Sequence, residues 1–343
     1  MKKLKILSFI ILFTIGMFSC KNEDWSFPDF DYTTSYFPYQ YPVRTIVLGD
    51  YNYDNSGDKE GKFIISATMG GVYKNNEDRV VNFAIDETLT HNLYSTPGNT
   101  PIIPLPSNYY TLSDNSKIVI RKGELSGGVE VQLSEAFFAD PLAVGINYVI
   151  PLRITGASTD SVLVGSSDMP NPDPRIASNW ILAPKNFTLF AVKYVNDYHG
   201  KYLLRGKSVV KDAAGTAVET LIYRKPEIVK DDVVSVLTSS KNIATYENSV
   251  RLTTGSPGKF QMQMTFGSDG NCVISNTDKY PFTISGTGKF VKDGDEWGDK
   301  KRNTLYLNYQ INDGTYTHTI TDTLVFRDKA IAFEQFNPSV KVN

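Results

Sequence analysis

The chain has 343 residues, and its 35 basic and 37 acidic residues give a formal net charge of −2. This balance, with no basic tract, lacks the electrostatic footprint of a nucleic-acid-binding protein. Hydrophobic residues make up 41% of the chain, which is enough for packed cores and excludes a disordered polypeptide. The 20 tyrosines and 19 phenylalanines favour strands over helices.

Residues 1–19 have the pattern of a secretory signal peptide: a basic head, an apolar run from Ile6 to Phe18, and then the small residue Ser19. The run is shorter than the about twenty residues that a transmembrane helix needs. Ser19 followed by Cys20 resembles a bacterial lipobox, which implies cleavage before Cys20 and attachment of lipid to that residue. The alternative is an ordinary signal peptide with an incidental cysteine.

Residues 20–42 are predicted to form a lipidated tether, because they are rich in aromatics, proline and aspartate without a lasting period. The sequence KNED (21–24) resembles the lipoprotein export signal of Bacteroidetes. That resemblance implies a lipid-anchored protein of the outer membrane that faces the extracellular side. A solvated polar segment without an export role is the alternative.

Residues 43–165 contain short apolar segments separated by turn-forming residues. KFIISATM (62–69) and VEVQLS (129–134) alternate between apolar and polar residues, as strands with one buried face do. This spacing predicts an Ig-like antiparallel β-sandwich. Residues 166–186 are rich in proline and are predicted to be a junction.

Residues 187–343 are predicted to form a second β-domain, either a sandwich or a barrel. In KFQMQMTF (259–266) the apolar residues occupy every second position, and TLYLNYQI (304–311) repeats the pattern. The chain is therefore predicted to be all-β, with two β-domains in sequence.

Several segments together resemble a known family. YPVRTIVLGDYNYDN (41–55), GGVEVQLSEAFFADP (127–141) and YVIPLRIT (148–155) resemble the uncharacterised N-terminal domain of lipoproteins from Bacteroidetes polysaccharide-utilisation loci, which also precedes family 18 endoglycosidases. FAVKYVNDYHGKYLLRGK (190–207) is similar to the start of its companion C-terminal domain. The resemblance implies a surface-exposed β-sandwich that handles glycans, and it supplies no catalytic residue.

The chain offers little for catalysis or metal binding. His91, His199 and His318 are far apart in sequence, and no HExxH or GxSxG pattern occurs. Cys272 lies in an alternating segment, which favours a buried and inert thiol. We therefore expect a non-enzymatic protein with no catalytic residue, no metal and no cofactor. A glycoside hydrolase whose carboxylates are gathered by the fold is a further alternative.

Aromatic residues in polar loops are the candidate ligand-binding residues, since aromatic faces stack on the C–H face of pyranose rings. Tyr51 and Tyr53 lie in an acidic loop that resembles the start of a calcium loop but departs from that pattern, which favours a polar hairpin. Trp180 lies in the proline-rich junction and Trp297 in an acidic turn. For both tryptophans the competing role is packing, between the domains or at a strand end.

These observations predict a surface lipoprotein that binds an oligo- or polysaccharide without cleaving it. Its predicted partners are the outer membrane, through the lipid anchor, and a transporter-associated lipoprotein complex. The alternative from a different class is a structural or adhesive surface protein that binds a protein partner, because the same location and fold suit both.

Overall fold

A computed structural model of the chain describes residues 30–96 and 99–341. The predicted all-β fold is confirmed, because these residues form 23 strands in four sheets with only short helices between them. The predicted signal peptide (1–19), Cys20 and the first part of the predicted tether lie outside the described residues.

The first half of the chain contributes twelve strands and two short helices. The strands are β1 (Thr34–Tyr36), β2 (Pro42–Val47), β3 (Lys62–Gly70), β4 (Arg79–Ile85), β5 (Leu93–Thr96), β6 (Ile103–Pro104), β7 (Tyr110–Leu112), β8 (Lys117–Ile120), β9 (Ser126–Leu133), β10 (Tyr148–Ala157), β11 (Ser161–Val162) and β12 (Phe187–Val195). The helices are α1 (Ser56–Lys59) and α2 (Glu135–Ala139), and 3-10 turns lie at Glu87–Thr90, Pro141–Val144 and Ala177–Asn179.

Two sheets form the N-terminal sandwich. One has the strand order β11-β1-β3-β9-β7, and the other contains β2-β12-β10-β4-β8. Alternation in β3 buries Phe63 and Ile65 while Ile64 is exposed, and Leu152 and Ile154 from β10 face them across the same core. Most pairings are antiparallel, as predicted, but β12 runs parallel to β2.

Strand β12 belongs to the N-terminal sandwich, although its residues fall in the range 187–343 that was predicted to form the second domain. It pairs with β2 on one side and β10 on the other. Both of its faces are buried: Leu189 packs in one apolar cluster and Tyr194 in another. A strand that is buried on both faces has a nearly continuous apolar sequence. Such a sequence does not indicate which sheet the strand joins.

The second half of the chain forms a closed eight-stranded barrel, as one of the two predicted alternatives. Its strands, with the edge and tail strands, are β13 (Gly200–Lys211), β14 (Ala217–Tyr223), β15 (Asp232–Ser240), β16 (Ile243–Ser249), β17 (Lys259–Phe266), β18 (Asn271–Asn276), β19 (Thr283–Trp297), β20 (Lys300–Asn312), β21 (Thr317–Asp328), β22 (Glu334–Gln335) and β23 (Asn337–Val340). A 3-10 turn lies at Ile228–Lys230. Pairing of β13 with β21 closes the barrel, and β14 pairs with the C-terminal part of β13, from Gly206 to Lys211.

The alternation predicted for β17 and β20 is confirmed inside the barrel. Phe260, Met262, Met264 and Phe266 are all buried. So are the residues predicted for the same face of β20, which are Leu305, Leu307, Tyr309 and Ile311. The barrel is therefore filled by side chains from one face of each strand.

The end of the chain returns from the barrel to the sandwich. Strand β22 pairs with β2, and β23 pairs with β5. Phe336 lies in an apolar cluster with Phe187 and Leu89 of the sandwich. The chain thus crosses between the two domains twice. Across the described ranges, no helix is both long and apolar enough to cross a bilayer.

Candidate functional site: an aromatic groove

A groove on the N-terminal sandwich, beside the returning tail, brings together five aromatic residues: Tyr39, Tyr51, Tyr53, Phe190 and Phe333. The Tyr39 and Phe333 rings pack together with centroids 5.4 Å apart. The Tyr51 and Tyr53 rings form a second pair, with centroids 5.7 Å apart and edge-to-face geometry. The groove has a volume of about 510 Å³. Two of the four predicted ligand-binding residues therefore lie in one concave site.

The loop that carries the two tyrosines is held by hydrogen bonds at its base. The Asn55 Nδ2 amide donates to the backbone carbonyls of Val47 (2.8 Å) and Gly49 (2.7 Å). The Asp54 carboxylate accepts the backbone N–H of Ser56 at 3.0 Å, and this hydrogen bond lowers the pKa of Asp54. These contacts define where the aromatic loop leaves β2 and where it enters α1.

Asp50 connects the same loop to the barrel. Its carboxylate forms ion pairs with Lys59 of α1 at 3.0 Å and with Lys292 of β19 at 2.9 Å. The hydrogen bond from Lys292 is the largest cause of the lowered pKa of Asp50. Asp50 begins the segment that resembles the start of a calcium loop, and here its charge is compensated by two lysines.

Arg44 and Asp58 form the polar floor of the groove. Asp58 is buried and accepts hydrogen bonds from the Arg44 guanidinium and from the backbone N–H of Val47. Burial raises the pKa of Asp58, and the Val47 N–H and Arg44 oppose that rise. The Arg44 side chain stays 43% exposed, so it is accessible to a ligand in the groove.

Most residues of the groove were not predicted from the sequence, among them Tyr39, Arg44 and Phe333. Phe333 is about 280 positions away from the tyrosine loop in the chain. It reaches the groove because β22 directly after it pairs with β2. This long-range strand pairing places the Phe333 ring in the groove, and no local sequence pattern predicts such a pairing.

The two tryptophans lie outside the groove, and each indole N–H donates to a backbone carbonyl. The Trp180 indole N–H donates to the Asp173 carbonyl at 2.8 Å, within the proline-rich segment. The Trp297 indole N–H donates to the Phe326 carbonyl at 2.9 Å, and Arg302 stacks on its ring at 4.2 Å. Both side chains are half-buried. The structure brings neither of them to the groove.

The remaining candidate chemical groups also lie outside the groove. The half-buried His199 ring accepts a hydrogen bond from the Thr238 N–H at 3.2 Å, and desolvation lowers the pKa of His199 to about 4. His318 pairs with Asp313 at 2.9 Å inside the barrel. Burial raises the pKa of Cys272 to about 11. Within residues 30–96 and 99–341, no three His, Cys, Asp or Glu side chains gather as they would around a metal ion.

Comparison with known proteins places the two domains. Residues 30–161 match a family model described as an N-terminal domain, and residues 197–330 match a domain of unknown function, DUF5627. The chain is 38% identical to a crystallised protein of unknown function from Bacteroides ovatus. That match covers 91% of this chain and 100% of the other, with a TM-score of 0.85. The chain belongs to the family of that Bacteroides ovatus protein.

Membership of this family confirms the predicted resemblance to uncharacterised domains of Bacteroidetes. A multidomain Bacteroides ovatus protein that includes DUF1735 is 12% identical and has a TM-score of 0.43, over 85% of this chain and 94% of the other. That likeness is too low to bear on fold or ligand. No curated protein matches the chain. Between the two regions that the family models match lie β12 and the proline-rich segment.

Proposed function

We propose that this protein is a non-catalytic glycan-binding protein and that the aromatic groove is its binding site. The observation that carries the proposal is the exposure of two aromatic rings, from distant parts of the chain, in the lining of one groove. Tyr53 is 75% exposed and Phe333 is 70% exposed. Clustered exposed apolar surface marks interaction sites, and aromatic faces stack favourably on the C–H faces of sugar rings.

The polar groups of the groove complement sugar hydroxyls. The Arg44 guanidinium can donate hydrogen bonds, and the exposed Asp54 carboxylate can accept them. Ligand sites commonly combine apolar walls with a few placed polar groups, and the volume of about 510 Å³ lies within their usual range. The groove therefore suits a short stretch of glycan rather than a single small ion.

The proposal includes a location at the cell surface. The lipobox-like Ser19–Cys20 and the KNED segment support a lipid anchor at Cys20 on the outer face of the outer membrane. In that position the groove would hold oligosaccharide near a transporter-associated lipoprotein complex. Labelling of expressing cells with radioactive palmitate tests this part. The parent and Cys272→Ala should carry the label and Cys20→Ala should lack it; a parent protein without label, or a labelled Cys20→Ala protein, contradicts the anchor.

Glycan-array binding followed by calorimetry tests the groove, with the soluble chain that begins at Lys21. Stacking on one ring contributes about 1 kcal/mol, so Tyr53→Ala and Phe333→Ala should each weaken binding about fivefold. Tyr73→Ala is the matched control, because Tyr73 is 70% exposed and lies outside the groove. It should change the affinity by less than about twofold.

Two outcomes would contradict the proposal. Glycan binding that persists unchanged in a Tyr53→Ala/Phe333→Ala double variant would place the site elsewhere on the protein. Absence of binding to every glycan would favour the alternative function, a structural or adhesive protein. In that case the same two variants would be compared in a pull-down of surface proteins.

A further inference from the structure

A second pocket lies on the outer wall of the barrel, where β14, β13 and β21 run side by side. It has a volume of about 320 Å³, and three of the residues that line it are the cations Arg205, Lys207 and Arg224. The strand register places Lys207 between Ile222 and Thr321. None of these residues lines the aromatic groove.

Arg205 is held in position by a buried carboxylate. Its Nε donates to Asp231 at 2.7 Å, and the Asp231 side chain is fully buried. Its Nη2 donates to the Lys225 carbonyl at 3.3 Å, and the second Asp231 oxygen accepts the Lys225 N–H at 2.6 Å. The remaining nitrogen, Nη1, makes no hydrogen bond to a described residue. A guanidinium fixed in this way is prepared to bind an oxyanion.

The pocket also carries excess positive charge. Asp231 compensates Arg205, but Lys207 and Arg224 form no ion pair with any carboxylate of the described residues. Another acid, Asp322, lies on the inner side of the wall behind Gly206, and two tyrosine hydroxyls hydrogen-bond its oxygens. The outer surface therefore presents two uncompensated cations on a chain whose net charge is −2.

We propose that this pocket binds an oxyanion carried by a sugar, either the carboxylate of a uronic acid or a sulfate ester. The three cations bind the anionic group, and the Thr323 hydroxyl hydrogen-bonds the sugar. Ile222, which is 66% exposed, covers the C–H face. The volume is at the small end of ligand sites, which suits one sugar residue. The sugar part of this inference rests on the proposed function, whereas the anion part rests on the pocket alone.

Titration of the soluble chain at low ionic strength and pH 7 tests the proposal with four probes: glucuronic acid, glucose 6-sulfate, glucose and sodium sulfate. Affinity is followed by calorimetry or by NMR chemical shifts. The two acidic sugars should bind, and the Lys207→Gln/Arg224→Gln double variant should weaken them at least about tenfold. Lys211→Gln, on the same strand but outside the pocket, should change the affinity by less than about twofold.

Tyr53→Ala separates this site from the aromatic groove, and it should leave the affinity for the acidic sugars intact. Equal binding of glucose and glucuronic acid, or unchanged affinity in the double variant, would overturn the proposal. Loss of binding in Tyr53→Ala alone would assign the acidic sugars to the groove and would also overturn it. Equal affinity for sodium sulfate and glucose 6-sulfate would overturn the sugar part and leave an anion site.

Discussion

At the scale of single residues, Asp322 is the least expected group of the barrel. Its carboxylate is 2% exposed and accepts hydrogen bonds from the hydroxyls of Tyr223 and Tyr309, the latter at 2.7 Å. Burial raises the pKa of Asp322 to about 6 despite both hydrogen bonds. Gly206 makes room for it, since a Cβ there would lie 2.2 Å from the Asp322 Oδ1 atom.

A raised pKa in the folded state makes stability fall as the pH rises. The folded protein binds the Asp322 proton more tightly than the unfolded chain, so this contribution is lost between pH 4 and pH 6. The shift corresponds to roughly 3 kcal/mol. Asp322→Asn removes the titration and keeps a hydrogen-bond acceptor. From pH 4 to pH 7 the parent loses this stability and the variant does not. The Tm of the variant minus the Tm of the parent should therefore increase by on the order of 10 °C over that range.

The difference between variant and parent is the quantity to measure, because His199 acts with the opposite sign. Burial lowers the pKa of His199 to about 4, so its contribution raises stability as the pH rises from about 4 to 6.5. The parent profile can thus be nearly flat. Asp299→Asn, in the exposed turn after β19, is the control and should follow the parent. A pH-independent difference for Asp322→Asn would contradict the raised pKa.

Only the part of the candidate site that lies in one local segment of the sequence could be predicted. Tyr51 and Tyr53 stood out because two aromatic residues in a polar loop need a reason to be exposed. The same argument selected Trp180 and Trp297, but neither tryptophan lines the groove. Their indole N–H groups donate to backbone carbonyls, and a sequence does not show which carbonyls a fold will offer.

At the scale of strands, period-two alternation predicted which faces are buried but not which strands become neighbours. In β17 the buried and exposed residues follow the predicted order along the whole strand. Strand β12 has no such alternation, and its partners β2 and β10 lie far from it in sequence. Pairing of this kind depends on the closure of long loops and on packing, which local propensity does not encode.

At the scale of the whole molecule, the two domains are joined by specific contacts rather than by a loose linker. Lys241 of the barrel pairs with Glu135 of the sandwich at 2.6 Å, and Lys292 of the barrel pairs with Asp50 of the sandwich at 2.9 Å. The returning tail adds an ion pair between Lys193 and Glu334 at 2.6 Å. The residues that complete the groove therefore depend on the tail staying on the sandwich.

Phe336 is the main apolar anchor of that tail, and its removal should destabilise the sandwich but not the barrel. The ring is 5% exposed and packs edge-to-face on Tyr41 with centroids 5.6 Å apart. Truncation of a buried phenylalanine costs about 3–5 kcal/mol. Hydrogen exchange of Phe336→Ala should therefore accelerate in β2, β5 and β12, while β17 and β18 keep their protection.

Phe333→Ala is the matched control, since it removes the same ring three residues earlier in the tail. That ring is 70% exposed, so the variant should lose less than about 0.5 kcal/mol of stability and no protection in either domain. It should still lose glycan affinity, because the ring lines the groove. Equal acceleration in sandwich and barrel on Phe336→Ala would contradict this division and show that the two domains unfold as one unit.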